Sequence, residues 1–330
     1  MITGKRLGQS GLFRNVLRFV GDIIRFNQKL SRNSIVLINT SMRFKSVMRD
    51  MLFVHVCRVR RKKAVVFIHG WDWSFVNKMQ QLAPGFIRFA LLKTEAVIVL
   101  ASEFESALCK QGFKGKVYRL STFVNDDETA DWDEQRIRET AGSPGLRILF
   151  MARLEPGKGL FPALDAVKQL QYSHPDVQLN VAGIGSQLTA AQQHAQTQSV
   201  PARFHGFVQG EDKKRLMQKA DVLLLPTTYG EGMPTAVLEG MAFGCAVVTC
   251  PAGGIKDFFQ HGKMGFLCDE PHPDILCSYL KQLTDDQALR IRMGLFNFDY
   301  VKQHFTADRV LNQLESILRQ TGQSKTTERL

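Results

Sequence analysis

Short apolar runs alternate with helical patterns along most of the chain. The runs indicate buried strands, and the stretches between them repeat apolar residues at the spacing of amphipathic helices. This rhythm predicts parallel sheets covered by helices. Helices are predicted over 12–30, 44–58, 75–93 and about 307–320. The predicted strands are SIVLIN, AVVFIHG, AVIVLA and KVYRL in the first part of the chain, and RILFMA, VQLNVAG, RFHGFV, DVLLLP and AVVTC in the second.

A polar stretch separates the two series of strands. From Ser121 to Gly145 the chain turns acidic, with the run NDDETADWDEQ, which fits a linker. Two doubly wound units favour an α/β protein with two Rossmann-like domains facing a cleft, where ligands bind beyond the carboxyl ends of the strands. A chain of 330 residues also exceeds what one core usually serves. The predicted segments are an N-terminal domain over 1–122, a linker over 123–145, a C-terminal domain over 146–306, a helix over 307–320 that docks on the N-terminal domain, and a disordered tail over 321–330.

The N-terminal segment is basic and amphipathic. Residues 1–63 hold fifteen Lys and Arg against Asp22 and Asp50 alone, so the rest of the chain is near neutral. Within this segment, residues 12–30 place apolar residues on one helical face and mostly basic residues away from it. The charge alone fits an anionic membrane surface or a polyanion, and equally a solvated basic face. The helix could lie on anionic lipid headgroups, although most amphipathic helices pack on their own domain. Without a helix-turn-helix or an aromatic and basic strand motif, nucleic acid is not an expected partner.

Composition excludes several classes of protein. With 44% apolar and 22% charged residues, the chain resembles an ordinary globular protein. Its six cysteines form no C-x-x-C pair and no His cluster accompanies them, so we expect reduced cytosolic thiols and no metal site. No stretch approaches the roughly 18 uninterrupted apolar residues of a transmembrane helix. Arg14, Arg18 and Asp22 interrupt what would have to be the apolar segment of a signal peptide.

The strongest chemical signal lies in DVLLLPTTYGEGMPTAVLEGMAFG. It predicts a buried strand, a loop at 230–232 and a helix that opens near Pro234, where the missing N–H of proline is tolerated. The first-turn N–H groups and the helix dipole make a site for an anion such as a diphosphate. Glu231 lies just before this helix and Glu239 about one and a half turns inside it, so two carboxylates flank the phosphate site. Each can accept hydrogen bonds from hydroxyl groups, one from a sugar and one from a ribose.

A second signal, RILFMARLEPGKG, places two cations after a strand. Arg153 and Lys158 can stabilise negative charge that develops on a nucleotide diphosphate leaving group, a task that a metal performs elsewhere. Pro156, Gly157 and Gly159 shape a tight turn around them. Taken separately, each cation also fits a solvated surface position.

The segments RLEPGKG, VAGIGS, FHGFV and EGMPTAVLEGMAFG, in this order, resemble glycosyltransferase family 4 over most of residues 64–305. The resemblance implies a GT-B fold and retention of anomeric configuration. It also implies that no divalent metal is required and that the nucleotide diphosphate sugar is the only small molecule bound besides the acceptor. The C-terminal domain would then bind the donor, and the N-terminal domain would lie on the acceptor side.

The resemblance also implies residue roles. Glu231 would contact the transferred sugar, Glu239 the ribose, and Arg153 and Lys158 the diphosphate. Backbone N–H groups around Gly232 and Met233, at the helix opening marked by Pro234, would hold phosphate oxygens. Gly183 and Gly185 match a glycine turn that lines the donor cleft, although G-x-G after a strand is a weak signal by itself.

In the first series of strands, VVFIHGWDW presents His69 at a strand end. The family often carries a histidine near this place, close to the donor sugar or acceptor, so His69 is predicted to have a supporting role. Asp72 is a weaker candidate for contact with the acceptor. A hydrogen-bonded structural histidine is the alternative. Family members normally open with an apolar strand and a glycine-rich turn, and without a predicted strand before residue 34 we expect the N-terminal sheet to lack its first β-α element. The DWD at 131–133 imitates a metal-binding D-x-D, but its acidic surroundings favour solvated charge.

The residues and the resemblance together predict transfer of a hexose or related sugar from a nucleotide diphosphate sugar to a glycan or lipid-linked glycan, in polysaccharide or lipopolysaccharide biosynthesis. The expected location is cytoplasmic, peripheral on the inner face of the cytoplasmic membrane, with contact to anionic lipid. Two alternatives stay open. One is a GT-B sugar-nucleotide epimerase or hydrolase, and the other is a non-catalytic nucleotide-sugar binding protein.

Overall fold

The computed structural model describes residues 12–30, 35–91, 94–142, 145–230 and 232–323, with side chains from residue 19 onward. These residues divide into two compact units. The first takes the chain up to Val99, Glu103–Arg119 and the segment from Leu314, and the second takes Leu100–Ser102 and Leu120–Gln313. Each unit holds a parallel β-sheet covered by helices. The predicted α/β class with two Rossmann-like units is therefore confirmed.

The elements up to residue 119 form a four-stranded parallel sheet in the order β1-β2-β3-β4. The two central strands are buried on both faces, and accordingly they are continuous apolar runs. The elements are α1 (Leu12–Lys29), β1 (Ile35–Met42), α2 (Phe44–Val59), β2 (Lys63–Trp71), α3 (Trp73–Leu82), α4 (Phe86–Ala90), β3 (Ala96–Val99), α5 (Ser102–Lys110) and β4 (Lys116–Arg119).

The single helix predicted over 75–93 is wrong, because α3 and α4 are separate helices. Pro84 lies between them, and proline both lacks an N–H and disfavours a helical conformation in the residue before it. Gly85 then precedes α4 with φ +89°, a left-handed conformation that a residue without Cβ adopts at little cost. The chain therefore turns at this point, where the apolar periodicity alone suggested continuity.

The second unit has a six-stranded parallel sheet in the order β10-β9-β8-β5-β6-β7. The short strand β10 was not predicted. The elements are α6 (Asp126–Thr129), α7 (Glu134–Ala141), β5 (Arg147–Met151), α8 (Leu160–Gln171), β6 (Gln178–Ala182), α9 (Leu188–Thr197), β7 (Ala202–Gly206), α10 (Gly210–Lys219), β8 (Val222–Leu225), α11 (Thr235–Ala242), β9 (Ala246–Thr249), α12 (Ile255–Phe258), β10 (Gly265–Leu267), α13 (Pro273–Asp285), α14 (Gln287–His304) and α15 (Ala307–Gln323).

The order of the strands indicates where in this sheet a ligand would bind. From β5 the chain adds β6 and β7 on one side, and then crosses over to add β8, β9 and β10 on the other. The order thus reverses between β5 and β8. In doubly wound sheets, ligands bind in the crevice at the carboxyl ends of the strands on either side of such a reversal.

The segment predicted as a linker, 123–145, carries α6 and α7, and its described residues belong to the second unit. Trp132 is buried, and its indole Nε1 donates a hydrogen bond to the carbonyl oxygen of Phe243 at 2.9 Å. In the DWD run, Asp133 caps α7 by accepting from the N–H of Arg136, and Asp131 pairs with Lys214. Within the described ranges, no group of three or more His, Cys, Asp or Glu is placed to hold a metal ion. The predicted domain boundaries stay a prediction.

The later part of the last helix, α15, belongs to the first unit from Leu314 onward. The ammonium of Lys63 on β2 donates to the carbonyl oxygens of Thr321 at 3.3 Å and Gly322 at 2.9 Å, near the end of the helix. Of the predicted tail, 321–323 belong to α15 and 324–330 lie outside the described residues. Among the described helices, none combines the length and apolar character needed to cross a membrane.

Candidate donor site in the second unit

Three loops leave the carboxyl edge of the second sheet side by side. They follow β5, β8 and β6, and β5 pairs in parallel with both β6 and β8. Parallel neighbours end at the same edge, so residues far apart in sequence come together there. The loops after β5 and β8 flank the reversal of strand order.

The loop after β5 places Arg153 and Lys158 beside an aromatic ring from the loop after β8. The Lys158 ammonium lies 4.5 Å from the ring centroid of Tyr229, and the Arg153 guanidinium carbon lies 5.9 Å from it. The two loops are also fastened through the backbone, because the carbonyl oxygen of Gly157 accepts from the N–H groups of Thr228 at 2.9 Å and Tyr229 at 3.1 Å. Cation-π contact and these hydrogen bonds hold both cations at the strand ends.

Lys158 is 5% exposed. Burial, with a further contribution from the positive charge of Arg153, lowers the pKa of Lys158 to about 8. Burial and a neighbouring positive charge both disfavour the protonated form of a lysine. A diphosphate bound beside Lys158 would bring negative charge close to both cations.

The helix α11 starts at Thr235, with Pro234 as its N-cap residue. No described side chain caps this helix, and in its first turn the N–H of Val237 donates to the carbonyl oxygen of Pro234 at 3.0 Å. The remaining first-turn N–H groups of such a helix can face an anion. The preceding loop is fixed where the carbonyl oxygen of Gly232 accepts from the N–H of Gly254 at 2.8 Å. Gly232 and Pro234 are buried and Met233 is half-buried. The predicted phosphate-binding turn is therefore a packed turn at the helix opening.

The glycine turn after β6 packs directly against the Arg153 loop. Gly183 has φ +143°, and a Cβ at this position would overlap the carbonyl oxygen of Ala152. A Cβ on Gly185 would likewise overlap the backbone of Leu154. Between them, the N–H of Leu154 donates to the carbonyl oxygen of Ile184 at 3.0 Å. Only glycine permits this close approach, which sets the path of the chain on either side of Arg153.

Glu239 lies on α11 with its side chain 16% exposed, and its Oε1 is 3.1 Å from the ammonium of Lys213. Burial raises the pKa of Glu239, and the attraction of Lys213 opposes that rise. Glu231, the other predicted glutamate, lies outside the described residues. Sequence reasoning missed Lys213 and Tyr229. The position of Tyr229 beside Gly230 in the loop was a usable signal, whereas Lys213 is one of several similar lysines on a polar helix.

His69, the predicted supporting residue, belongs to the first unit, at the carboxyl end of β2. Its Nε2 lies 2.8 Å from Oδ1 of Asn39, and its ring packs on Phe67 at a centroid distance of 3.9 Å. Burial lowers the pKa of His69, which favours the neutral imidazole at pH 7. Asp72 caps α3 instead of standing free, because its Oδ1 accepts from the N–H of Phe75 at 3.1 Å.

The sequence family follows from the second unit. Residues 132–296, half of the chain, match the family described as Glycosyl transferases group 1. The chain belongs to this family. The match runs from just before α7 into α14, and so includes the loop that carries Arg153 and Lys158 and the helix that carries Glu239.

Curated relatives of this group 1 chain are glycosyltransferases. The amylovoran biosynthesis glycosyltransferase AmsK of Erwinia amylovora is 26% identical over 269 residues, which cover 79% of this chain and 65% of AmsK. A Salmonella typhimurium protein named as a colanic acid biosynthesis glycosyltransferase, WcaL, is 30% identical, with the same coverage of 79% and 65%. The phosphatidyl-myo-inositol mannosyltransferase of Mycobacterium tuberculosis is 34% identical over 155 residues, 45% of this chain and 40% of that protein. The chain thus spans 65% of the length of the first two relatives.

Solved structures establish the fold type. Anabaena HepE, solved with UDP and glucose, aligns with a TM-score of 0.73 and 17% identity over 94% of this chain and 83% of HepE. Sucrose-phosphate synthase from Thermosynechococcus elongatus aligns with a TM-score of 0.75 and 18% identity, over 96% of this chain and 80% of that one. These are GT-B glycosyltransferases. The group 1 chain therefore has the GT-B fold that the resemblance implied.

Proposed function

We propose that the chain is a retaining, metal-independent glycosyltransferase of family 4 that moves a hexose or related sugar from a nucleotide diphosphate sugar to a glycan or lipid-linked glycan. One observation carries the proposal. At the reversal of strand order, the loop with Arg153 and buried Lys158 is hydrogen-bonded to the loop that leads into α11. Two cations and a helix N-terminus that no described side chain caps, at one sheet edge, suit a diphosphate. UDP bound to HepE, a protein of the same fold, supports a nucleotide donor.

The chemistry of transfer assigns a role to each group. Breaking the bond between the sugar and the diphosphate leaves negative charge on the leaving oxygen, and Arg153, Lys158 and the α11 N–H groups stabilise it in place of a metal. Glu239 accepts from the ribose hydroxyls. Glu231 accepts from the transferred sugar, and His69 supports the sugar or acceptor. The glycine turn at Gly183 and Gly185 completes the wall of the donor site.

The acceptor side is proposed from the relatives and from the first unit. Relatives named for amylovoran and colanic acid biosynthesis point to polysaccharide or lipopolysaccharide assembly, where glycans grow at the inner face of the cytoplasmic membrane. Residues 1–63 are strongly basic, and α1 and α2 expose Val20, Ile24, Met48 and Leu52. Exposed apolar side chains beside basic ones suit an anionic lipid surface.

We expect the purified protein to cosediment with vesicles that contain phosphatidylglycerol about tenfold more than with phosphatidylcholine vesicles, because several cations each contribute to attraction at a negative surface. Salt at 0.5 M should abolish the difference by screening. Equal sedimentation with both vesicle types would refute binding to an anionic membrane, and the proposal for the donor site would still stand.

The assay supplies a lipid-linked glycan acceptor and a panel of nucleotide sugars, and it measures the release of nucleoside diphosphate. We expect one of these donors to be turned over, at a rate that EDTA leaves unchanged. Glu231→Gln should lower the rate about a hundredfold or more, since it removes a charged contact to the reacting sugar. Asp131→Asn is the matched carboxylate control and should keep the wild-type rate. Product NMR should show the anomeric configuration of the donor.

Other outcomes separate the alternatives. Release of nucleoside diphosphate and free sugar without a new glycosidic product would favour a hydrolase, and conversion of the donor into an isomeric nucleotide sugar would favour an epimerase. Binding of nucleotide sugars without turnover would favour a non-catalytic binding protein. Loss of turnover in EDTA would contradict metal independence.

A further inference from the structure

Lys213 on α10 bridges two carboxylates from separate elements of the second unit. Its ammonium lies 3.1 Å from Oε1 of Glu239 on α11. It also lies 2.9 Å from Oε1 and 2.7 Å from Oε2 of Glu128 on α6. The side chains of Lys213, Glu239 and Glu128 are 17%, 16% and 29% exposed, so water screens this cluster only in part.

Lys213 lies closer to Glu128 than to Glu239. Its ammonium donates to Oε1 of Glu128 at 2.9 Å and lies 2.7 Å from Oε2, whereas it donates to Oε1 of Glu239 at 3.1 Å. Within the described residues Lys213 meets Glu239 through Oε1, which leaves Oε2 to accept from a ligand. The ammonium is thus anchored from α6 and touches only one side of the carboxylate that the proposed function places against the ribose.

Electrostatics point the same way. Burial raises the pKa of Glu239, with Lys213 opposing the rise and Glu128 adding to it. Burial alone would lower the pKa of Lys213, but the two carboxylates outweigh it and raise that pKa. The pair therefore keeps the ammonium charged, and the ammonium favours an ionised Glu239. An ionised carboxylate accepts from two hydroxyls, whereas its protonated form gives up one acceptor position to a proton.

We propose that Lys213 is a positioning residue that keeps Glu239 oriented and ionised for the two ribose hydroxyls, and that Glu128 anchors Lys213 for this task. The proposal rests on the proposed function, which supplies the ribose. Under this proposal the segment 126–129, which the sequence suggests is a solvated acidic linker, contributes to the donor site indirectly, through Lys213.

The test measures ribose recognition directly. Binding of UDP is compared with that of its 2′,3′-dideoxy analogue by calorimetry, and with the matching GDP pair if UDP does not bind. In the wild type the ratio of dissociation constants is expected to be about tenfold or more, because hydroxyl contacts to a charged group are strong. Lys213→Met should bring the ratio to within about twofold, and Lys213→Arg should restore most of it. A general structural defect would weaken both nucleotides equally and leave the ratio unchanged.

Lys214→Met is a matched control. Lys214 is the next residue on α10, its side chain is also 17% exposed, and it pairs with Asp131 at 2.6 Å. It does not touch Glu239, so the ribonucleotide preference should stay at the wild-type value. Glu128→Gln provides a second variant that removes the anchor and retains Lys213. The freed ammonium should then move onto Glu239 and compete with the ribose, which lowers the preference about threefold.

The pH dependence adds an independent readout. Lys213 from α10 and Glu128 from α6 are the charged groups described around Glu239. Without Lys213, both burial and Glu128 disfavour the carboxylate, so in Lys213→Met the affinity for UDP should rise with pH between about 5 and 8 more steeply than in the wild type. If the wild type prefers UDP over the dideoxy analogue and Lys213→Met keeps that preference, the role of Lys213 is refuted while the proposed function stands. If the wild type binds neither nucleotide pair, the proposed donor site falls, and the role of Lys213 falls with it.

Discussion

Lys158→Met is expected to lower kcat/KM for the nucleotide sugar about a hundredfold or more. The ammonium of Lys158 is buried at the carboxyl end of β5 and held against the ring of Tyr229. A preorganised cation in a dry site stabilises a leaving diphosphate far more than a solvated one does, and loss of a single such group typically costs about 100- to 1000-fold. Steady-state kinetics with the best donor measures the effect.

The titration of Lys158 should also make kcat/KM for the donor depend on pH. The pKa of Lys158 is lowered to about 8, and only the protonated form carries the charge. In the free enzyme, kcat/KM for the donor should therefore fall by about tenfold per pH unit above a break near pH 8. Lys158→Arg should remove this break, because an arginine stays charged throughout that range.

Two controls make the result specific. Lys168→Met changes a lysine on α8 that lies 5.2 Å from the ring centroid of Tyr172, and it should leave kcat/KM unchanged. The folded state disfavours the charged form of Lys158, since its pKa is lowered, so Lys158→Met should not reduce the melting temperature through loss of charge. Wild-type activity in Lys158→Met, or the same pH break in Lys158→Arg, would exclude Lys158 from the reaction.

Gly183→Ala is expected to destabilise the second unit by about 3 kcal/mol or more. At φ +143° an alanine is strained, and its Cβ would overlap the carbonyl oxygen of Ala152. Since Ala152 precedes Arg153, relief of the overlap has to move the loop that carries both cations. Urea unfolding followed by circular dichroism measures the stability, and UDP affinity measures the displacement of the loop.

Gly262→Ala is the control that introduces the backbone strain of a positive φ without the overlap between Cβ and a neighbouring atom. Gly262 is in the same unit with φ +80°, and a Cβ there would meet nothing within 4 Å. Its substitution should cost about 1 to 2 kcal/mol, the usual penalty of a left-handed conformation. If both variants lost the same stability, close packing against Ala152 would not be the reason for a glycine at 183.

Local patterns in the sequence determined much of the fold. The apolar runs that predicted nine strands correspond to β1 through β9, because a strand buried in a parallel sheet has to be apolar along its whole length. The short strand β10 was not predicted, because its three residues, Gly265–Leu267, form too short an apolar run to be recognised. The helix predicted over 75–93 failed because periodicity does not register the turn at Pro84 and Gly85.

The sequence also identified Arg153, Lys158, Gly183 and Glu239 as candidates. Each lies near a strand end or a helix opening, and the local sequence is enough to recognise such positions. Only the tertiary structure decided what these residues touch. Lys213 and Lys214 are indistinguishable in the sequence, yet only Lys213 reaches Glu239, 26 residues away, and Glu128, 85 residues away. Periodicity reports which residues are buried, but partners depend on the crossover that puts β8 beside β5. Electrostatic pairing is decided by that spatial arrangement, because it acts between side chains whose distance the chain sets only once it is folded.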